Sequence, residues 1–166
     1  MKSVFLVLMM SLPLAAMAAS DPDASFYKKA AEGGIAEVEA GQLAQDKGSS
    51  QSVKDFGAMM VKDHTAANDK LKALAVSKGI TLPTSSSVGQ MASKAKLEVL
   101  SGDTFDKSYI SGQITAHRQT IALFKQEINN GQDADAKAFA SETLPTLRSH
   151  LKAITAIATA AGISTQ

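Results

Sequence analysis

Apolar residues recur at intervals of three and four along four long segments of the chain. This periodicity limits the possible folds of the chain more than any other feature of the sequence. Such spacing places the apolar side chains on one face of an α-helix. Start and stop signals divide the segments, such as Pro22 at a first helical position and the N-cap residues Asp21 and Asp103. We predict four long helices, over about residues 22–47, 51–78, 103–130 and 133–161.

The connections between these helices predict how the chain folds back on itself. Gly48-Ser49-Ser50 and Asn129-Asn130-Gly131 are short turns, so each joins an antiparallel hairpin. The stretch from Gly79 to Gly102 is much longer, and Met91 to Leu100 within it predicts a short helix. A crossover of this length can run along the whole bundle. We therefore predict an all-α, ferritin-like four-helix bundle over residues 22–162, with the second and third long helices parallel; a simple up-down-up-down bundle is the alternative.

Residues 1–18 have the pattern of a secretory signal peptide. Lys2 supplies positive charge, Val4 to Leu14 is almost wholly apolar, and Ala16-Met17-Ala18 places small residues where a signal peptidase cleaves. We predict cleavage after Ala18, with Ala19 as the alternative. The apolar run is shorter than the roughly 20 residues that a transmembrane helix needs. We therefore expect a periplasmic protein that has no integral membrane span after cleavage.

Composition excludes several classes of function. The chain has 17 Lys and Arg residues against 16 Asp and Glu residues, so it lacks the strongly basic surface that binds nucleic acid. It has no cysteine, which excludes a disulfide framework, thiol catalysis, a Cys-ligated metal and a lipoprotein-type anchor. A metal site built from histidine and carboxylate side chains is not excluded.

Each of the three histidines lies in the apolar stripe of a different predicted helix. His64 lies in the stripe of the second long helix, His117 in that of the third and His150 in that of the fourth. Glu37 is the sole charged residue in the apolar stripe of the first long helix. Asp63 lies on the second long helix, near the edge of the face that packs against the other helices. The number of residues between each side chain and its hairpin turn places Glu37, His64 and His117 at a similar level along the bundle axis. The same count places His150 about 7 Å from that level, at 1.5 Å per residue.

Two hypotheses from different functional classes follow. In the first, the protein binds one divalent transition metal in the bundle core; the candidate ligands are Glu37, His64, His117 and His150, with Asp63 positioned to contact one of them. Imidazole and carboxylate groups would suit Zn, Cu, Fe or Ni. In the second, the same side chains form a buried polar network in a structural or protein-interaction module of the cell envelope, without metal. A cleft for some small ligand is a third interpretation.

Catalytic patterns are weak by comparison. No serine has a His and a carboxylate partner at readable spacing, which argues against a hydrolase. We therefore predict no catalytic residues and expect a binding or stress-related envelope protein rather than an enzyme. A protein partner in the envelope is compatible with either hypothesis, but the sequence does not identify one.

Several stretches of the chain resemble one widespread bacterial family; they are residues 30–38, 53–56, 60–64, 82–83, 105–109, 143–145 and 150–151. The chain resembles the domain of unknown function whose members are often labelled predicted outer membrane proteins and which belongs to the ferritin-like superfamily. The resemblance implies a four-helix ferritin-like bundle in the cell envelope. It implies no established activity.

The chain departs from the metal-carrying ferritin relatives at their ligand positions. Di-iron bundles use a Glu-x-x-His motif on two of their helices. Here Val61 stands three residues before His64, and Leu147 stands three residues before His150, so both motifs lack their carboxylate. We therefore do not expect a dinuclear oxidase or ferroxidase, and any metal site would be mononuclear.

Overall fold

The computed structural model of the chain describes residues 22–164, so the predicted signal peptide and the predicted N-cap Asp21 lie outside the described residues. Within this range the regular secondary structure consists of five helices joined by turns and loops. The helices are α1 (Pro22–Lys47), α2 (Gln51–Ser77), α3 (Val88–Glu98), α4 (Gly102–Asn130) and α5 (Ala134–Ala160). The predicted all-α four-helix bundle, with two hairpins and a crossover that contains a short helix, is confirmed. Within residues 22–164, no helix is long and apolar enough to cross a membrane.

The beginnings of α3 and α4 differ from the sequence prediction. Ser87 and Gln90 form a capping box, in which each side chain bonds a backbone group of the other, so α3 begins before the predicted Met91. The prediction of Asp103 as an N-cap was wrong, because α4 begins one residue earlier, at Gly102. Asp103 instead lies in the first turn, where its negative charge complements the positive end of the helix dipole.

Hydrogen bonds at the two ends of the bundle define the helix directions. At one end, the Asp106 carboxylate near the start of α4 accepts bonds of 2.8 Å from the backbone amides of Ser49 and Ser50, in the α1–α2 turn. At the other end, the Asp23 carboxylate near the start of α1 accepts bonds of 2.9 to 3.2 Å from backbone amides after α4. Therefore α1 and α4 are antiparallel, and α2 and α4 are parallel, as predicted for a crossover along the bundle.

The core consists of two apolar clusters. The cluster near the α4–α5 turn includes Phe26, Tyr27, Leu71, Phe124, Phe139 and Leu147. The cluster near the α1–α2 turn includes Val53, Phe56, Met60, Phe105, Tyr109 and Ile154. In α4, for example, the buried His117 lies between Ile114 of the second cluster and Ile121 of the first. A polar layer therefore crosses the middle of the bundle; its buried members are Glu37, His64, Gln113, His117 and His150.

Helices α1 and α2 make a close approach at two glycines. A Cβ atom at Gly57 would lie 2.6 Å from the carbonyl oxygen of Gly41, and one at Gly41 would lie 2.7 Å from the carbonyl oxygen of Gly57. Real Cβ atoms do not come so near to backbone oxygen, so any larger residue would push the helices apart. This contact fixes the spacing of the first hairpin near the polar layer.

Candidate metal centre

The side chains of His64, His117 and His150 meet in the polar layer of the core. They come from α2, α4 and α5, and one ligand nitrogen of each lies within 4.8 Å of those of the other two. The ring centroids are 5.4 to 5.8 Å apart, and all three side chains are buried. We call these residues the histidine triad. Within residues 22–164, it is the group of His, Asp and Glu side chains whose geometry could hold a metal ion.

His150 reaches the level of His117, although counting along the helices placed it about 7 Å away. Side chains of an α-helix tilt toward the N-terminus of that helix. Because α4 and α5 run in opposite directions, the His117 ring is displaced away from the α4–α5 turn and the His150 ring toward it. These displacements reduce the offset between the two Cα atoms, and the ring centroids lie 5.5 Å apart.

Each ring of the triad has one buried nitrogen without a hydrogen-bond partner among the described residues, and two of the rings have a hydrogen bond at the other nitrogen. Nδ1 of His117 lies 3.0 Å from the backbone carbonyl oxygen of Gln113, and Nε2 of His150 lies 3.0 Å from a carboxylate oxygen of Asp63. Each of these nitrogens donates its proton, so the other nitrogen of the ring carries the lone pair. Among the described residues, Nε2 of His64, Nε2 of His117 and Nδ1 of His150 are buried without a hydrogen-bond partner.

Burial keeps two of the three rings in the neutral form. The pKa of His64 is lowered to about 3, mainly because burial desolvates the ring and in addition because His117 and His150 lie beside it. Desolvation also lowers the pKa of His150, although the hydrogen bond to Asp63 opposes this shift. A metal ion binds the lone pair of a neutral imidazole. These rings therefore have the protonation state of metal ligands at neutral pH.

Asp63 lies at the edge of the α2 interface, and its side chain is 32% exposed. Its carboxylate fixes the orientation of the His150 ring, while the Gln113 carbonyl does the same for His117. Histidines that bind metals commonly donate their second N–H to a carboxylate or to a backbone carbonyl. The two acceptors around the triad, the Asp63 carboxylate and the Gln113 backbone carbonyl, are the kinds of group found next to metal-binding histidines.

Glu37 does not join the triad. Its Oε1 lies 4.0 Å from Nδ1 of His117, which is the nitrogen that faces Gln113, and not from the unpartnered Nε2. Burial raises the pKa of the Glu37 carboxyl, whereas His117 and a hydrogen bond from Gln113 act in the opposite direction. The structure thus divides the four predicted ligands: three lie together, and Glu37 lies on the opposite edge of one ring.

Sequence reasoning did not identify two residues that shape the site. Phe56 packs edge-on against the triad, with its ring centroid 6.3 Å from that of His117 and 6.5 Å from that of His150. Gln113 supplies the carbonyl that orients His117. The spacing of four residues between Gln113 and His117 was the available signal, because it places the two on one helix face.

A cavity of about 230 Å³ lies between α2 and α5 and reaches two rings of the triad. His64, His150 and Asp63 line its inner wall, and the exposed residues Lys70 and Glu142 also line it. The cavity gives a small ion or molecule a route from solvent toward the buried nitrogens.

The fold and the site together define an all-α bundle protein with three buried histidines at its centre. The chain belongs to the family described as "Domain of unknown function (DUF4142)", which it matches over residues 9–157. No curated protein matches the chain.

Solved structures of two bacterial proteins have a similar fold. One is a DUF305 fragment from Deinococcus radiodurans, with a TM-score of 0.73, 11% sequence identity, and coverage of 84% of this chain and 96% of that chain. The other is a DUF305 protein from Streptomyces coelicolor, named as a predicted secreted protein, with a TM-score of 0.73, 16% identity, and coverage of 88% and 98%. At these identities the similarity shows the fold alone.

Proposed function

We propose that this protein binds one transition-metal ion through His64, His117 and His150. The observation that carries the proposal is that three buried histidines, each from a different helix, bring one ring nitrogen apiece within 4.8 Å of one another. Each ring also has one buried nitrogen with no hydrogen-bond partner among the described residues. A buried polar atom without a partner costs about 1–3 kcal/mol. One metal ion would satisfy all three nitrogens together.

The proposed site is mononuclear and has three protein ligands. Both neighbouring carboxylates, Asp63 and Glu37, face ring nitrogens outside the set that would bind the metal. Zn, Cu, Fe and Ni all accept imidazole ligands. With three histidines bound, a tetrahedral ion would retain a fourth position for water or another small ligand, and the 230 Å³ cavity supplies a route to it.

We further propose a periplasmic location in the cell envelope and membership of the ferritin-like superfamily. The pattern of residues 1–18 supports export, and the predicted secretion of the Streptomyces relative is compatible with it. The helix order of two antiparallel hairpins and a long crossover supports the superfamily assignment. The role proposed here is binding rather than catalysis.

Metal analysis and thermal melting of the mature protein, purified without a polyhistidine tag, test the metal site. After chelator treatment, we expect one equivalent of Zn²⁺, Cu²⁺, Ni²⁺ or Fe²⁺ to bind. A metal concentration 100 times the Kd would add about 2.7 kcal/mol to the free energy of unfolding and raise the Tm by about 8 °C.

His64→Gln should remove this effect, whereas Thr65→Ala, at the adjacent exposed position of α2, should retain it. If none of the four metals binds to the wild-type protein or shifts its Tm, the metal proposal is wrong. The triad would then be the buried polar network of a structural or interaction module.

A further inference from the structure

Two buried carboxyl groups meet at the end of the bundle where α1 begins and α4 ends. Asp23 lies in the first turn of α1, and Glu127 lies in the last turn of α4. Their side chains form a hydrogen bond with each other, and the two residues are 8% and 3% exposed, respectively. We call these two residues the carboxyl pair. The pair links the two hairpins, because α1 belongs to the first hairpin and α4 to the second.

The hydrogen bond of the carboxyl pair requires one proton. A carboxylate only accepts hydrogen bonds, so one of the two groups must be protonated to donate. Asp23 already accepts bonds of 2.9 to 3.2 Å from the backbone amides of Gln132 and Asp133. It is therefore the acceptor, and the Glu127 hydroxyl is the donor. Glu127 also lies near the negative end of the α4 dipole, which disfavours its ionised form.

The charged groups around Glu127 come from α1, α5 and the turn between α4 and α5. The pKa of Glu127 is raised to about 7, mainly by burial and in addition by the hydrogen bond to Asp23 and the charge of that residue. Asp133 in the turn acts in the same direction, whereas Lys137 of α5 acts in the opposite direction. Lys29 of α1 lines a cavity of about 160 Å³ that Glu127 also lines. Glu127 therefore gains and loses its proton near neutral pH.

Other ionic contacts at this end of the bundle keep their charges at neutral pH. The Lys78 ammonium, directly after α2, lies 2.9 Å from the Asp133 carboxylate and 2.8 Å from that of Asp135. The hydroxyl of Tyr27 donates to Asp133 at 3.0 Å. Burial opposes ionisation of Asp133, but the hydrogen bonds from Lys78 and Tyr27 outweigh it and lower the pKa of this carboxyl. These contacts therefore persist when the carboxyl pair loses its proton.

An ionised Glu127 does not fit the place that the neutral side chain occupies. Its Oε1 is buried without a hydrogen-bond partner among the described residues. A Cβ atom at Gly131 would overlap this oxygen, so the carboxyl group lies directly against the backbone after α4. A negative charge on a buried oxygen without a donor is strongly unfavourable, and the Asp23 carboxylate beside it adds repulsion. Loss of the proton therefore drives the two carboxylates apart.

We propose that Asp23 and Glu127 share one proton and form a pH-sensitive clasp between the two hairpins. The clasp is closed while the proton is bound and opens when the proton passes to water. Opening separates the first turn of α1 from the α4–α5 turn and lets the Glu127 carboxylate reach solvent. Phe26 and Tyr27 stay in the apolar core, so the rest of α1 keeps its place. The clasp does not depend on the proposed metal ligands.

The direction of the pH dependence follows from the raised pKa of Glu127. The folded protein holds this proton up to about pH 7, whereas the ordinary pKa of the residue is 4.5. The stabilising contribution of the clasp is therefore complete below pH 4.5 and is lost as the pH rises through about 7.

An NMR titration of the metal-free mature protein from about pH 4 to about pH 9 tests the clasp. We expect the Glu127 carboxyl carbon to titrate near pH 7, and the two turn amides that donate to Asp23 to shift with the same midpoint. Titration of Glu127 near pH 4.5, or amide signals that do not follow it, would overturn the proposal. In Asp23→Asn the Glu127 midpoint should fall by about one pH unit. An unchanged midpoint would show that burial alone holds the proton, and this result would also overturn the proposal.

Glu127→Gln and Glu142→Gln are a matched pair of variants. The side-chain amide of Glu127→Gln donates to Asp23 as the protonated carboxyl does, but it does not ionise. Glu142→Gln makes the same change at an exposed position of α5. In urea unfolding, a rise from about pH 5 to about pH 8 should increase the unfolding equilibrium constant of the wild type and of Glu142→Gln at least about tenfold more than that of Glu127→Gln. The same pH dependence in all three proteins would contradict the proposal.

Discussion

The two edges of the His117 ring face different chemical environments within one polar layer. Nε2 of His117 is buried without a hydrogen-bond partner, and His64 and His150 each bring a ring nitrogen within 4.8 Å of a nitrogen of this ring. At the Nδ1 edge lie two oxygen atoms, the backbone carbonyl of Gln113 at 3.0 Å and a carboxylate oxygen of Glu37 at 4.0 Å. Nitrogen lone pairs suit a transition metal, whereas the oxygens at the other edge accept the Nδ1 proton and orient the ring. Burial in the same core therefore does not give these polar residues the same role.

Replacement of the shared ring should have the largest effect. His117→Phe keeps an aromatic side chain between the two environments but removes Nε2 from the triad. We expect metal affinity to fall at least about 100-fold, or about 2.7 kcal/mol, as measured by calorimetric titration. Gln119→Ala, at an exposed position of the same helix, should leave the metal affinity unchanged. Retention of wild-type affinity by His117→Phe would contradict the triad as the ligand set.

The contributions of His64 and Glu37 to the free energy of unfolding should change with pH in opposite directions. The pKa of His64 is lowered to about 3 in the folded protein, whereas in the unfolded chain it has the ordinary value of about 6.5. Between these two pH values, the unfolded chain therefore binds more protons than the folded protein does. Stability contributed by neutral His64 is therefore lost as the pH falls from about 6.5 toward 3, by about 2 kcal/mol at pH 5. The pKa of Glu37 is raised, so its contribution is lost as the pH rises through that raised pKa.

Urea unfolding of the metal-free protein at several pH values separates these two effects. His64→Gln should reduce the loss of stability between pH 7 and pH 5, and Glu37→Gln should reduce the loss at higher pH. Comparison of each slope with that of the wild type removes any constant cost of the substitution. The same pH slope in all three proteins would show that the ionisation of these groups is not linked to folding.

Loss of the carboxylate that orients His150 should have the smallest effect. Asp63→Asn can still accept the hydrogen bond from Nε2 of His150 but removes the negative charge that strengthens this ligand. We expect metal affinity to fall about tenfold, or about 1.4 kcal/mol. Asp69→Asn makes the same change at an exposed position of α2 and should have no effect on the titration. An equal loss in both variants would point to general electrostatics rather than to orientation of His150.

The helix order could be predicted from sequence because each apolar periodicity extends over many residues and the turns contain strong stop signals. The start of α4 could not, because both Ser101 and Asp103 are good capping residues and only the backbone around Gly102 decides between them. The inward positions of the three histidines followed from the same periodicity. A helical wheel shows which face of a helix a residue lies on, but not which of the two ring nitrogens of a histidine its neighbour contacts. For this reason the sequence prediction groups Glu37 with the three histidines as a metal ligand.

The hydrogen bonds of Asp23 and Asp106 give the bundle an approximate internal symmetry. Each aspartate lies near the start of the first helix of one hairpin and binds the turn of the other hairpin. Exchange of the two hairpins would bring α4 to the place of α1, so His117 and Glu37 occupy counterpart helices. The nitrogen-lined and oxygen-lined halves of the polar layer thus meet where the two hairpins differ: a histidine on one first helix, a glutamate on the other.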